Sequence, residues 1–237
     1  MSDLPEGPGS VGGLGARSLR IALIGGTGHQ GPGLALRWAL AGHEVLIGSR
    51  RAEKAKRVAG ELDEKLKALG AEYEFGHGLN QDVVREADVI VFTIPFVGVK
   101  PTCEALKERL RPGVIAISPV VPMVKKDFGL MADLPPEGSA AELIASLLPE
   151  AKVVSAFHTV SANLLLNVPE PVRGDVVVCG DDEDAKRTVM DLVRDIPELR
   201  PLDGGPLAYS RTLEMLTPLL ITMGKRIGQP DLGVKFI

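Results

Sequence analysis

Short, densely apolar runs recur along the chain, each followed by a longer stretch rich in charges and helix formers. The runs at 20–25 (RIALIG), 44–48 (EVLIG), 88–94 (DVIVFTI), 113–118, 152–157 and 175–179 (DVVVC) read as strands. Continuous Val/Ile/Leu segments of this kind, with no alternation of polar positions, fit strands buried on both faces. Weaker strands are predicted at 73–76 and 198–202, and helices over 31–41, 51–69, 81–87, 97–110, 139–148 and 183–196. The Pro-rich segment leading to Gly138 reads as a loop. This alternation predicts an α/β fold of Rossmann type, a doubly wound and mainly parallel sheet with a small C-terminal α/β extension. Residues 1–18, rich in Gly, Pro and Ser, are expected to form a disordered leader. Residues 19–170 are expected to form a dinucleotide-binding domain, and residues 171–237 a small C-terminal domain. One long helix is predicted over 207–227. Its Leu213, Leu216, Leu219, Leu220 and Met223 cover more than one narrow face, so it is either deeply buried or shared in a homodimer.

Composition narrows the partners. A net charge of −4 and 4% aromatic residues give neither a basic field nor a stacking platform for nucleic acid. The longest apolar run, 89–99, is too short to span a bilayer and contains Pro95. The N-terminus lacks the apolar core of a secretory signal. Cys103 and Cys179 have no metal-ligand spacing, and the four histidines are scattered, so no metal site is expected. Two buried free thiols in a reducing cytoplasm are the expectation, a disulfide between them the alternative. The expected partners are therefore small molecules.

The first strand runs directly into Gly26-Thr27-Gly28-His29-Gln30-Gly31, a G-x-G-x-x-G turn that opens the first helix. The first glycine allows the tight turn, the second a close approach of backbone to a pyrophosphate, and the third close packing of helix on strand. The helix N-terminus then meets the anion with free N–H groups and a positive dipole end. What closes the second strand selects the dinucleotide. NAD-binding chains carry a carboxylate there for the ribose 2′-hydroxyl; here stand Ser49, Arg50, Arg51 and Lys54. Hydroxyl, guanidinium and ammonium suit a 2′-phosphate, and cations at a helix N-terminus otherwise oppose its dipole. The cofactor read from these residues is NADP.

Three other strand ends face the same edge of a doubly wound sheet: Thr93-Ile94-Pro95-Phe96, Ser118 to Pro122, and His158 to Ala162. Their side chains are mostly apolar or hydroxyl. They carry no acid–base pair suited to an alcohol and no Tyr-x-x-x-Lys. His158 is the obvious titratable group, read equally as a core histidine or a site residue. Transfer of a hydride between two stacked rings needs alignment more than a strong general acid. The strand ends therefore favour a second cofactor as the reaction partner.

Taken together, IALIGGTGHQGPGLALRWALAGHEVLIGSRRAEKA, VFTIPF, SPVVP, VVSAFHTVSA, VCGDDEDAK, LRPLDGGPL and the ending DLGVKFI resemble the NADPH-dependent oxidoreductases of coenzyme F420, an 8-hydroxy-5-deazaflavin. The resemblance covers nearly everything from Arg20 to Ile237. It implies that Thr27, Gly28, His29 and Gln30 form the pyrophosphate turn, and that Ser49, Arg50 and Lys54 grip the 2′-phosphate. It implies further that Thr93, Ile94, Pro95 and Phe96 line the channel to the nicotinamide, with Ala162 near its end. Ser118, Val120, Pro122, His158, Val160 and Leu232 would border the deazaflavin pocket. The chain departs from that pattern in His29-Gln30, where Asn-Leu is commoner, and in Val160, where isoleucine is usual. The implied activity is reversible hydride transfer between NADPH and F420. An NADP-dependent imine or carbonyl reductase of the pyrroline-carboxylate reductase type and a non-catalytic NADP(H)-sensing protein are the alternatives.

Overall fold

A computed structural model of the chain describes residues 18–237; the expected leader lies outside them except for Ser18. Ten strands are found among the described residues: β1 (Arg20–Ile24), β2 (Glu44–Ser49), β3 (Gly76–Leu79), β4 (Val89–Phe92), β5 (Ile115–Ser118), β6 (Met123–Lys126), β7 (Gly129–Ala132), β8 (Lys152–Ser155), β9 (Gly174–Gly180) and β10 (Leu199–Asp203). Interleaved with them are α1 (Gly31–Leu40), α2 (Ala52–Ala68), α3 (Asn80–Val83), α4 (Val99–Leu106), α5 (Ala140–Leu147), α6 (Ala162–Leu166), α7 (Glu183–Arg194) and α8 (Ser210–Ile227). Eight strands form one sheet in the order β10-β9-β8-β5-β4-β1-β2-β3. All neighbours are parallel except β8 and β9. The Rossmann-type α/β expectation holds, and β9 and β10 extend the same sheet.

Alternation along the central strands divides the core into two layers. Ile21 and Leu23 face one cluster with α1, α2 and α7, while Ala22 and Ile24 face another with α4 and α5. Val89 and Val91 are split from Ile90 and Phe92 in the same way. Both faces of the sheet are covered, which is why the strands read as continuous apolar runs.

Several elements differ from the sequence-based expectation. The third strand lies at Gly76–Leu79 rather than 73–76. Tyr73 is occupied otherwise: its hydroxyl donates to His43 O and accepts from Val45 N–H, so the chain reaches the sheet edge only after Phe75. Within the expected loop, β6 and β7 form an antiparallel hairpin packed on α8, where Leu130 N–H donates to Thr222 Oγ1. The short helix α6 was also not expected. Buried Arg37 holds it by donating to the carbonyls of Leu164, Leu165, Asn167 and Glu170. Gly33 admits α6 closely, because a Cβ there would lie 2.5 Å from Leu165 Cβ.

The long C-terminal helix is only half buried. Ser210, Glu214, Thr217, Pro218 and Gly224 face inward. Met215, Leu219, Met223 and Ile227, one helical turn apart, are 56%, 52%, 42% and 59% exposed. Beyond α8 the tail returns along the sheet, where Asp175 N–H donates to Val234 O and Phe236 N–H donates to the Asp175 carboxylate.

Candidate cofactor-binding site

The strand order sets the site. β1 lies between β2 and β4, so the chain leaves β1 and β4 on opposite sides and opens a crevice at their carboxyl ends. The glycine turn closes this crevice. Gly25 adopts φ +70°, and a Cβ there would lie 2.4 Å from Ile94 Cγ2. A Cβ on Gly31 would lie 2.5 Å from Gly26 O, so α1 can start against the turn only with glycine at that position. Gln30 begins α1 with no side-chain cap. The N–H groups of Thr27, His29 and Gln30 make no hydrogen bond among the described residues, which leaves the helix N-terminus able to receive an anion.

A cavity of about 780 Å³ runs from this turn to the start of α2. Of the predicted residues, Thr27, Gly28, Ser49, Arg50, Lys54, Thr93, Ile94 and Pro95 line it together. His29, Gln30 and Phe96 do not. Gln30 turns inward and donates its amide to Phe157 O at 3.0 Å, while Phe96 packs against the core layer around α4. Ser49 Oγ accepts from Arg51 N–H at 3.3 Å, which leaves its own hydroxyl hydrogen to donate. Arg50, Arg51 and Lys54 form no ion pair among the described residues. Three cations without an ion pair gathered at the start of a helix, on the wall of a cavity, give that wall a positive field suited to an anion. Arg51, Asn80 and Gln81 also line the cavity but were not among the predicted binding residues. Arg51 stood in the quoted basic run; Asn80 belongs to no motif.

The second predicted group, Ser118, Val120, Pro122, His158, Val160, Ala162 and Leu232, lies outside this cavity. Register explains its position: Val91 pairs with Ile117, and Ser118 with Ser155, so these strand ends continue the line begun by β2, β1 and β4. Ser118, Val120, Pro122 and His158 are buried. Helix α8 lies against this end of the sheet, with Thr217 Oγ1 donating to His158 O and a hydrogen bond joining the Ser210 and Ser155 hydroxyls. The Ser118 hydroxyl and His158 Nε2 are the two buried side-chain polar atoms left without a partner among the described residues. Such atoms are unfavourable unless something pairs with them, and a ring with carbonyl and N–H edges would do so. Burial pushes the His158 imidazole down to about 4, so it is neutral near pH 7. Ser161 and Asn163 both donate to the Asp231 carboxylate, which ties the tail carrying Leu232 to the start of α6.

One buried carboxylate in this region had no sequence signal. Glu214 of α8 accepts from Ala140 N–H at 2.7 Å and from Ala141 N–H at 3.2 Å, capping α5 from outside. Burial still pushes its carboxyl up to about 7.

Comparison with known proteins agrees with this geometry. The family model for coenzyme F420-dependent NADP oxidoreductases matches residues 20–122. The F420-dependent NADP reductase of Methanocaldococcus jannaschii is 40% identical, over 92% of this chain and 97% of that protein. The enzyme of the same name from Methanothermobacter thermautotrophicus is 38% identical, over 92% and 94%. A crystal structure from Arthrobacter sp. FB24, assigned as an F420-dependent NADP reductase, superposes with a TM-score of 0.77 at 27% identity. It covers 93% of this chain and all of that one. With its glycine turn, its basic crevice and two full-length relatives of this similarity, the chain belongs to the family of F420-dependent NADP reductases.

Proposed function

We propose that this protein transfers a hydride reversibly between NADPH and the deazaflavin coenzyme F420. The observation that carries the NADP half is the single cavity joining the glycine turn to the unpaired Arg50, Arg51 and Lys54. The F420 half rests on the family and on two unpartnered polar atoms, Ser118 Oγ and His158 Nε2, at the adjoining strand ends. In this reading the backbone around Thr27 and Gly28 cradles the pyrophosphate, and Ser49, Arg50 and Lys54 hold the 2′-phosphate. Thr93, Ile94 and Pro95 direct the nicotinamide toward the ends of β5 and β8. Bound NADPH supplies the hydride. Ser118, Val120, Pro122, His158, Val160, Ala162 and Leu232 border the acceptor ring and exclude water from it. His158, neutral near pH 7, offers a hydrogen bond rather than a proton.

Residues 19–170 carry the NADP site in this account, and 171–237 complete the deazaflavin site. The exposed stripe Met215, Leu219, Met223 and Ile227 supports pairing with a second copy of the chain. Among the described residues no helix is long and apolar enough to cross a membrane, and Cys103 and Cys179 are both free and buried. The free thiols support a cytoplasmic location. Direct transfer is tested with NADPH deuterated at the transferring C4 position, in ordinary water. The deuterium should appear in the reduced deazaflavin; its loss to solvent would contradict direct transfer.

A further inference from the structure

The structure assigns Asn80 a double role: it positions Gly25, the glycine just before the G-x-G-x-x-G turn, and reads the phosphorylated ribose. The assignment rests on the NADP reading of the cavity. Asn80 opens α3 immediately after Leu79, whose register partner is Ser49, so it emerges beside the end of β2. Its Oδ1 accepts from Gly25 N–H at 3.1 Å. Gly48 leaves room for that oxygen, since a Cβ there would approach it to 2.8 Å. One carboxamide therefore spans the ends of β1 and β2 and holds the backbone of Gly25 at its positive φ.

The same bond fixes the orientation of the amide. A backbone N–H can be accepted only by the carbonyl oxygen, so the other arm of Asn80 is the NH₂. That nitrogen has no hydrogen-bond partner among the described residues, and Asn80 lines the cavity. The turn at Thr27 and Gly28 and the cluster from Ser49 to Lys54 line the same cavity. The portion of NADP between a pyrophosphate and a 2′-phosphate is the adenosine ribose, and the Asn80 NH₂ donates to the oxygens of that phosphorylated ribose. The group is a donor with no negative charge, as a 2′-phosphate requires. A carboxylate of the same shape would repel the phosphate and accept a hydrogen bond from a bare 2′-hydroxyl.

Asn80→Asp in the full chain separates the two roles, because it keeps the oxygen that braces Gly25. Calorimetric affinities for NADPH and NADH are measured with each variant, beside the melting temperature without ligand. The preference for NADPH over NADH should fall by about tenfold or more in Asn80→Asp, with melting close to wild type. Asn80→Ala, which introduces no charge, should weaken NADPH more than NADH, and it decides the matter if the Asp variant does not fold. Unchanged affinities, or equal weakening of both cofactors at a constant ratio, would overturn the ribose-reading role. A wild-type protein with no preference for NADPH would instead overturn the NADP reading on which the role rests.

Discussion

Gln30 and Phe157 stand 127 residues apart, yet the Gln30 side-chain amide donates to the Phe157 carbonyl at 3.0 Å. The bond ties the start of α1 to the chain leaving β8, and so ties the glycine turn to the proposed deazaflavin pocket. Phe157 adopts φ 66°, which is uncommon for a residue with a side chain. Its ring meets Trp38 edge-on at 5.7 Å, so packing and hydrogen bonding together hold it there. Gln30→Ala should lower stability by about 1 kcal/mol in urea denaturation. It should raise KM for the deazaflavin while leaving NADPH affinity close to wild type, since the Gln30 side chain lies outside the NADP cavity.

Arg37 governs a larger unit. Removing its guanidinium leaves four carbonyls of the α6 region without their donor. Arg37→Ala should cost about 3 kcal/mol or more. Arg37→Lys should recover little, because a point charge cannot replace the planar fork. Denaturant midpoints of the two variants check both statements.

Two buried titratable groups act on stability in opposite directions. The Glu214 carboxyl is raised from 4.5 to about 7. Between those values the folded state binds more protons than the unfolded state, so the Glu214 contribution falls as pH rises. His158 is lowered from 6.5 to about 4, so over that range the unfolded state binds more protons and the His158 contribution grows with pH. The two trends offset each other between about pH 4.5 and 6.5. Glu214→Gln keeps an acceptor for one of the Ala140 and Ala141 N–H groups, at the loss of the other bond, and removes the titration. Its melting temperature should climb more steeply than wild type across that range, and the wild-type decline toward pH 7 should disappear.

How much of this was legible in the sequence depends on how far apart the cooperating residues stand. The glycine turn and the basic cluster stood out in the sequence because each is contiguous and each follows directly on a strand. Thr27, Gly28, Ser49, Arg50, Lys54, Thr93, Ile94 and Pro95 accordingly share one cavity. Asn80 was invisible, because its partner Gly25 lies 55 residues away and a lone Asn before a short helix carries no signal. Arg37 and Glu214 read as ordinary helix positions, since only the packing of α6 and α5 reveals their roles. The β6–β7 hairpin was hidden among prolines, its two short strands exposed or half-buried without alternation.

The proposed phosphate clamp makes its own prediction. Replacing Ser49 and Arg50 together with alanine should reduce NADPH affinity by about 1.5–3 kcal/mol for the lost charged hydrogen bonds, with little change for NADH. Titration with both cofactors measures it. Equal affinity losses for the two would mean that these residues hold the turn and not the 2′-phosphate.

The central claim is that the second ring is a deazaflavin. Its most direct test mixes the protein with NADPH and oxidised F420 and follows the visible absorption of the deazaflavin. The account predicts protein-dependent bleaching with NADPH, weak bleaching with NADH, and return of the colour when NADP is added to reduced F420. Tight NADPH binding with no bleaching, together with turnover of a cyclic imine, would contradict it.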